Sequence, residues 1–445
     1  MQAHAHTLER EPHLKRTESD SQGGWFAQHR SLVTILAVAL VMRLIALRSF
    51  FTGHPRTYLF AHPYEMGLVA NSLIHGLGYS SPFGGATGPT AIVAPGYPTL
   101  IAVVFLIFGS DTFASALAIT GLQIAVSLLT IWLMMWIARE MLDSRTATLA
   151  GAFWAVSLPL LWIPTIFWET SISACSFVGV VALAIRCHRA PTRNAWVLLG
   201  ACCGIAALIN PALLPSFLAM MGWVAYRTRR GARTAALAGL LALLLVYAAW
   251  PIRNAYRFHA FIPMRSTVGL ELYMGNRPGA TGHLDETLFP MFNKQELASY
   301  VAKGELAYTN DQGTQAWGYI RERPGHFVDL SLRRAYRFWT GTGYVDGPVI
   351  YELHALLTTV FGFAGLVLIY RRRARWFAVL MALPLLLFPL PYYITHAEFR
   401  YRLNIDPLLT ILAAYAVTQL VAAWSNRRSA DPVANTPASR PSGPV

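Results

Sequence analysis

The main regularity in the chain is a succession of apolar stretches separated by short polar segments. Ten of these stretches resemble bilayer-crossing helices, which need about 20 apolar residues each. The predicted spans are Ser31–Phe50, Phe113–Ala138, Ala147–Ile166, Ser171–Ile185, Ala195–Ile209, Pro211–Tyr226, Thr234–Trp250, Ile350–Tyr370, Trp376–Pro391 and Leu403–Trp424. We therefore expect an all-α integral membrane protein, a polytopic helical bundle of about ten transmembrane helices.

The arginines predict the direction of each span. They cluster at Arg139 and Arg145, at Arg186, Arg189 and Arg193, at 227–233, at 371–375, and at Arg427 and Arg428. Cytoplasmic loops carry an excess of Lys and Arg. All the clusters share one side with the N-terminus only if the short run Pro95–Phe108 does not cross. We therefore expect both termini in the cytoplasm and Pro95–Phe108 as a re-entrant or surface-lying helix.

This alternation divides the chain into five predicted segments. They are a cytoplasmic tail (1–30), a transmembrane bundle (31–252) with a first outer loop at 51–112, an outer loop domain (253–349), C-terminal transmembrane helices (350–424), and a disordered cytoplasmic tail (425–445). The outer loop domain mixes apolar and charged residues, so we expect it to fold as a compact cap. The final tail is rich in Ser, Pro and Ala, which is typical of disorder.

Composition supports lipid as the main partner. The chain is 55% hydrophobic and only 13% charged, whereas soluble proteins carry roughly 25% charged residues. The net charge of +14 lies in clusters between spans, so we expect no nucleic-acid partner. The four cysteines lack zinc spacing and are expected to serve packing.

The first outer loop holds the strongest candidate for chemistry. Apolar residues recur there with a helical period and predict an amphipathic helix at the membrane surface. They are Met66, Val69, Ala70, Leu73, Ile74 and Leu77. Glu65 stands at the start of this helix, off its apolar face. It is either a carboxylate that complements the helix dipole or a general base at the interface.

Further candidates lie in or at the ends of other spans. Glu169 is acidic amid apolar sequence, which indicates a functional group or a helix-start carboxylate. Arg253, with Asn254 beside it, suits bidentate contact with a phosphate or extension toward lipid headgroups. The same two interpretations apply to Arg43, deep in the first span.

The outer end of the last span is unusually polar. Polar or ionisable side chains stand at His396, Glu398, Arg400, Tyr401 and Arg402. Such a concentration beside a membrane indicates either a binding site or an exposed cap of the bundle.

The order of these landmarks is similar to that in the GT-C fold glycosyltransferases that use polyprenyl-phosphate sugars. The resemblance is to the protein O-mannosyltransferase and aminoarabinose-transferase group and its bacterial relatives, and it covers most of the chain. Its landmarks are Glu65, Pro95–Pro98, Phe108 with Gly109, Glu169, Trp250–Asn254, Gly269–Asn276, Tyr319–Gly325, Arg400–Leu403, and Asp406 with Pro407. No single motif is specific to this group of enzymes, but the order and spacing of the motifs along the chain are specific to it.

The resemblance implies a multi-pass enzyme of a bacterial inner membrane. It would move a hexosyl or pentosyl unit from polyprenyl phosphate to a hydroxyl of a glycan, lipid or protein, on the non-cytoplasmic face and with inversion. Glu65 would be the catalytic base, and no metal or cofactor would be required. The implied substrate-binding residues are Arg253 and Arg400 for the phosphate, Glu169 and His396 for orientation, and Asn254, Glu398 and Tyr401 beside them.

One departure from the family pattern concerns the base. The family has an acidic pair in the first outer loop, whereas here Tyr64 precedes Glu65. Either Glu65 acts alone, the acceptor differs, or activity is lost. The alternatives are therefore a non-catalytic subunit of cell-envelope glycan assembly or a transporter. A transporter is disfavoured because the sequence shows neither internal repeats nor paired mid-membrane carboxylates. Sequence barely distinguishes such a glycosyltransferase from a lipid-linked glycan polymerase or ligase.

Overall fold

The computed structural model describes residues 25–53, 64–228, 233–342, 349–372 and 374–430, with side chains from residue 30 to residue 427. The first helices are α1 (Trp25–Gly53), α2 (Glu65–Ile74), α3 (Gly96–Phe108), α4 (Phe113–Met141), α5 (Ser144–Val156), α6 (Leu158–Trp162), α7 (Thr170–Arg189), α8 (Arg193–Ile209), α9 (Leu214–Arg227) and α10 (Arg233–Phe258). The others are α11 (Val268–Gly275), α12 (Lys294–Lys303), α13 (Glu305–Glu322), α14 (Pro324–Thr340), α15 (Val349–Arg371), α16 (Arg375–Leu387), α17 (Leu390–Ile394), α18 (Phe399–Arg402) and α19 (Asp406–Ala430).

The predicted all-α, multi-pass architecture is confirmed. Within the described ranges, seven helices are long and apolar enough to cross a membrane, or eight if the bent pair α5 and α6 is one span. This count is below ten because α8 has 17 residues and α9 has 14. Asn210 ends α8, and a 3-10 turn at Pro211–Leu213 precedes α9. Whether these two helices cross stays a prediction.

The bend between α5 and α6 explains the buried Arg43. The two helices meet at 64°, so the last carbonyl groups of α5 lack partners within the helix. Arg43 is fully buried and donates to the carbonyl oxygens of Trp154 (3.5 Å) and Ala155 (3.4 Å). It also donates to Ser127 Oγ at 2.9 Å. Arg43 therefore links α1, α4 and α5, and the expected extension toward headgroups or a phosphate is wrong.

The short helix α8 is packed into the bundle through glycine. A Cβ added to Gly200 would overlap the carbonyl oxygen of Gly239 on α10. Small residues of this kind let transmembrane helices approach closely. The contact holds α8 along α10, whose last turns continue to Phe258 with Pro251 inside the helix.

The first outer loop packs against protein. Its predicted amphipathic helix forms as α2, but Val69 joins a core with Leu270 and Tyr308 from the outer loop domain. Ala70 packs in a second core with residues of α3. Leu77 lies beyond the helix end and is 67% exposed. The helical period thus predicted which face of α2 is buried, but not that protein rather than lipid covers it. The helix α3 has only 13 residues, fewer than the roughly 20 that a membrane span needs.

Candidate active site

Six of the eight predicted site residues are linked by electrostatic interactions that centre on Arg400, where α2, the turn before α7, α11 and the segment from α17 to α18 meet. They are Glu65, Glu169, His396, Glu398, Arg400 and Tyr401. Arg265 and Glu271 belong to the same network of charges. We call these eight residues the outer cluster.

Glu65 is positioned by the start of α2. The carbonyl oxygen of Tyr64 accepts from the backbone N–H of Gly67 at 2.8 Å, and the Tyr64 ring lies 5.3 Å from that of Trp168. Burial raises the pKa of Glu65, and the nearby Arg265 and Arg400 oppose that rise. A carboxylate with a raised pKa is a better proton acceptor once ionised, which suits a general base.

Arg400 is held by aromatic faces. Its guanidinium carbon lies 4.2 Å from the ring centroid of Trp168 and 5.0 Å from that of Tyr401. Among the described residues, no carboxylate lies within 4.0 Å of its guanidinium nitrogens. Cation–π contacts fix a guanidinium without occupying its N–H donors, and the one side-chain hydrogen bond that Arg400 donates among the described residues is a long one, from Nη2 to Tyr401 Oη at 3.5 Å. Arg400 is therefore a fixed cation whose donors suit an anionic group of a substrate.

Glu271 forms a close pair with His396. Nε2 of His396 lies 2.5 Å from Glu271 Oε2, and Arg265 Nη2 lies 3.9 Å from Glu271 Oε1. Burial would raise the pKa of Glu271, but His396, Arg265 and Arg400 together hold it below its ordinary value. Within the cluster, the pKa of Glu271 is thus shifted in the opposite direction from that of Glu65.

A buried arginine outside the cluster holds this pair in place. Arg334 of α14 is fully buried, and its Nη1 donates to Asn276 Oδ1 (3.2 Å) and to the carbonyl oxygen of Ile394 (3.3 Å). A Cβ on Gly275 would overlap the carbonyl oxygen of Thr395. These contacts hold the end of α11 against the segment that carries His396.

The two remaining acidic residues differ in their partners. Oε2 of Glu169 is buried and has no hydrogen-bond partner in the described part of the chain, although its charge acts on Arg400. Burial raises the pKa of Glu398, while Arg400 and His396 lower it and the backbone N–H of Leu284 donates to its carboxyl group. Glu169 is thus available to accept from a substrate, whereas Glu398 is partly occupied by the outer loop domain.

Arg253 and Asn254 do not join the outer cluster. Arg253 donates to the backbone carbonyl oxygens of Thr90 (2.6 Å) and Tyr79 (2.8 Å), and to Asn254 Oδ1 (2.9 Å). Asn254 in turn donates to the carbonyl oxygen of Ile262 at 3.1 Å. Nη1 and Nη2 of Arg253 thus fix the first outer loop, and the assignment of Arg253 to the donor phosphate stays a prediction.

Sequence reasoning did not assign Glu271 or Arg265 to the site. Glu271 stood within the landmark Gly269–Asn276, and a signal was available: it is the one acidic residue in an otherwise apolar helix. Arg265 lies in an irregular connection, where no periodicity indicates its direction. In the described ranges, no group of three or more His, Cys, Asp or Glu residues could hold a metal ion.

No family model matches the chain, and no curated protein matches its sequence. The oligosaccharyltransferase of Archaeoglobus fulgidus, in complex with zinc and sulfate, has a similar structure (TM-score 0.54, 14% identity, 89% of this chain and 50% of that chain). So does archaeal oligosaccharyltransferase AglB from the same organism, with an inhibitory peptide and a dolichol-phosphate (TM-score 0.53, 13% identity, 94% and 53%).

ArnT from Cupriavidus metallidurans, bound to undecaprenyl phosphate, matches with 14% identity over 91% of this chain and 81% of that chain. Its TM-score of 0.37 is too low to carry an argument. This chain spans about half the length of the oligosaccharyltransferase, with 50% of that chain covered. What the comparison establishes is the fold: this chain has the GT-C architecture that its sequence landmarks implied.

Proposed function

We propose that the protein is a membrane glycosyltransferase that transfers a sugar from a polyprenyl-phosphate donor to an acceptor hydroxyl. The observation that carries the proposal is the arrangement of the outer cluster. A partly buried carboxyl group, Glu65, lies within electrostatic range of a cation, Arg400, whose donors are not used by any carboxylate of the described residues. A base and a phosphate-binding cation are the two groups that this transfer needs.

In the proposed reaction, the acceptor oxygen attacks the anomeric carbon while Glu65 takes the hydroxyl proton. The new carbon–oxygen bond forms as the bond between the anomeric carbon and the phosphate oxygen breaks. The electron pair of that bond leaves with polyprenyl phosphate, whose charge Arg400 and Arg265 stabilise. A single displacement inverts the anomeric centre. Glu169 accepts from a hydroxyl of the sugar or acceptor, and Glu271 keeps His396 in place.

The test is transfer in membranes that contain the full chain. Radiolabelled polyprenyl-phosphate hexoses and pentoses are incubated with these membranes, and labelled products are separated from the donors. Glu65→Gln keeps the size of the side chain and removes its basicity, so we expect transfer to fall by about 10²–10⁴-fold. Glu322→Gln, an exposed carboxylate at the end of α13, is the control and should transfer normally.

Two results would contradict the proposal. Absence of transfer from every lipid-linked donor would favour the alternative, a non-catalytic subunit of cell-envelope glycan assembly. Transfer at the native rate by Glu65→Gln would mean that Glu65 is only a helix-start carboxylate.

The proposed face is tested by labelling. Cysteines are introduced at two exposed positions, Ser144 at the start of α5 and Gly325 in α14, after replacing the four native cysteines. A cysteine at Gly325 should react with a membrane-impermeant maleimide added outside intact cells, and one at Ser144 only after lysis. Reaction of both from outside would refute the topology.

A further inference from the structure

A second concave surface lies between α4 and α7, outside the outer cluster. It is a groove of about 420 Å³, within the size range of ligand pockets, roughly 300–1,000 Å³. Its walls are apolar and its end is basic. The lining residues are Trp132, Leu133, Trp136, Ala182, Leu183, Ile185, Arg186, Arg189 and Ala190. We call this surface the α4–α7 groove.

The groove lies at the opposite end of the bundle from the outer cluster. Glu169 directly precedes α7, whereas Arg186 and Arg189 stand in its last turn. A helix of 20 residues is about 30 Å long at 1.5 Å per residue, close to the thickness of the bilayer core. The basic end of the groove is therefore at the other membrane boundary, and a ligand there belongs to the other leaflet.

The two arginines of the groove differ in their partners. Arg189 forms an ion pair with Glu140 of α4 and also donates to the Glu140 carbonyl oxygen at 3.4 Å. Arg186 is exposed, and no described residue forms a hydrogen bond or ion pair with its side chain. The charge of Arg189 is thus compensated within the protein, while that of Arg186 faces the mouth of an apolar groove.

We propose that the α4–α7 groove binds an anionic phospholipid, with the lipid phosphate on Arg186 and an acyl chain along Trp132, Trp136 and Leu183. An apolar wall alone would accept any lipid. The uncompensated Arg186 adds a preference for net negative charge, because a zwitterionic headgroup brings its own cation to the site. Basic pockets between transmembrane helices select anionic headgroups for this reason.

The proposal is tested with brominated lipids, which quench tryptophan fluorescence on contact. The full chain is reconstituted into phosphatidylcholine bilayers with increasing fractions of dibrominated phosphatidylglycerol or dibrominated phosphatidylcholine. Subtracting the signal of a double variant, Trp132→Phe with Trp136→Phe, isolates quenching in the groove. We expect the phosphatidylglycerol to quench at a lower fraction than the phosphatidylcholine.

Charge variants separate this site from general lipid contact. Arg186→Gln should reduce the preference for phosphatidylglycerol about fivefold, the effect of one cation near the membrane surface. Arg186→Lys should keep most of the preference. Arg193→Gln changes an exposed arginine that does not line the groove, and should have no effect.

Three results would overturn the proposal. Equal quenching by both lipids in the native protein would make the groove an ordinary lipid-facing surface. Absence of quenching at Trp132 and Trp136 would mean that another helix or a second copy covers it. An unchanged preference in Arg186→Gln, with the protein still monodisperse, would remove Arg186 from the site.

Discussion

Arg400 and Arg402 are two positions apart but belong to two groups of charged residues that differ in how completely their charges are paired. Arg400 lies in the outer cluster. Arg402 is fully buried and pairs with Asp406, whose Oδ2 lies 2.8 Å from Nε2 of His354. The other ring nitrogen of His354, Nδ1, forms a hydrogen bond with Ser157 Oγ at 2.8 Å. We call Arg402, Asp406, His354 and Ser157 the buried network.

The two groups differ in both burial and pairing, since Arg402 and Asp406 are fully buried whereas most side chains of the outer cluster are partly exposed. Both carboxylate oxygens of Asp406 have a partner, and Arg402 also donates to Thr358 Oγ1 at 2.6 Å. In the outer cluster, by contrast, no carboxylate of the described residues lies within ion-pair distance of Arg400. Oε2 of Glu169 has no hydrogen-bond partner among the described residues. Completed pairs stabilise a fold, whereas opposite charges held apart are available to a substrate.

The largest expected effect is on the stability of the buried network. Asp406→Asn removes the negative charge and leaves Arg402 buried without a counter-charge, which typically costs about 3–5 kcal/mol. Unfolding in detergent, followed by circular dichroism, should show this loss. Arg400→Gln is the matched variant two positions before Arg402, and its free energy of unfolding should stay near that of the native protein. Equal losses in both variants would mean that pairing does not distinguish the two groups.

The next effect is on rate. Arg400→Gln removes the proposed phosphate-binding cation, and losing one preorganised electrostatic contact typically lowers the rate about 10²–10³-fold. Arg253→Gln is the contrasting variant, since Arg253 donates to the backbone of the first outer loop. It should lower stability while transfer per folded molecule stays close to native. A rate loss in Arg253→Gln as large as that in Arg400→Gln would support the assignment of Arg253 to the donor phosphate.

The sequence could predict the elements because hydrophobic periodicity is local. The spans, the helix that begins at Glu65 and the concentration of polar groups from His396 to Tyr401 all follow from neighbouring residues. Breaks within continuous apolar sequence were harder to predict. The bend between α5 and α6 and the end of α8 each occur at a single residue, Ser157 and Asn210, whose backbone is extended.

The sequence could not predict which candidates meet. Arg253 and Arg400 both stand at predicted outer ends of spans and have the same chemistry. Arg253, however, donates to carbonyl groups that lie more than 160 positions earlier in the chain. Glu271 and His396 are separated by 125 positions and meet through the contacts of Arg334 and Gly275. Such long-range pairings come from tertiary packing, which no local pattern contains.

The smallest and most specific effect concerns the pH dependence of transfer. A general base must be ionised, so kcat/KM falls as the pH decreases through the pKa of Glu65 in the free enzyme. Because burial raises that pKa, the acidic limb should lie above the pH expected for an ordinary glutamate.

Two neighbours of Glu65 should move this limb in opposite directions. Arg265 lowers the pKa of Glu65, so Arg265→Gln should move the limb to higher pH; Glu271 raises it, so Glu271→Gln should move the limb to lower pH. The measurement is kcat/KM across the acidic range for both variants, with Glu322→Gln as the unshifted control. Two shifts in the same direction, or none, would mean that the titrating base is not Glu65. Opposite shifts would support Glu65 as the base even if the rate at neutral pH changed little, since the pKa of Glu65 is lowered by Arg265 and raised by Glu271.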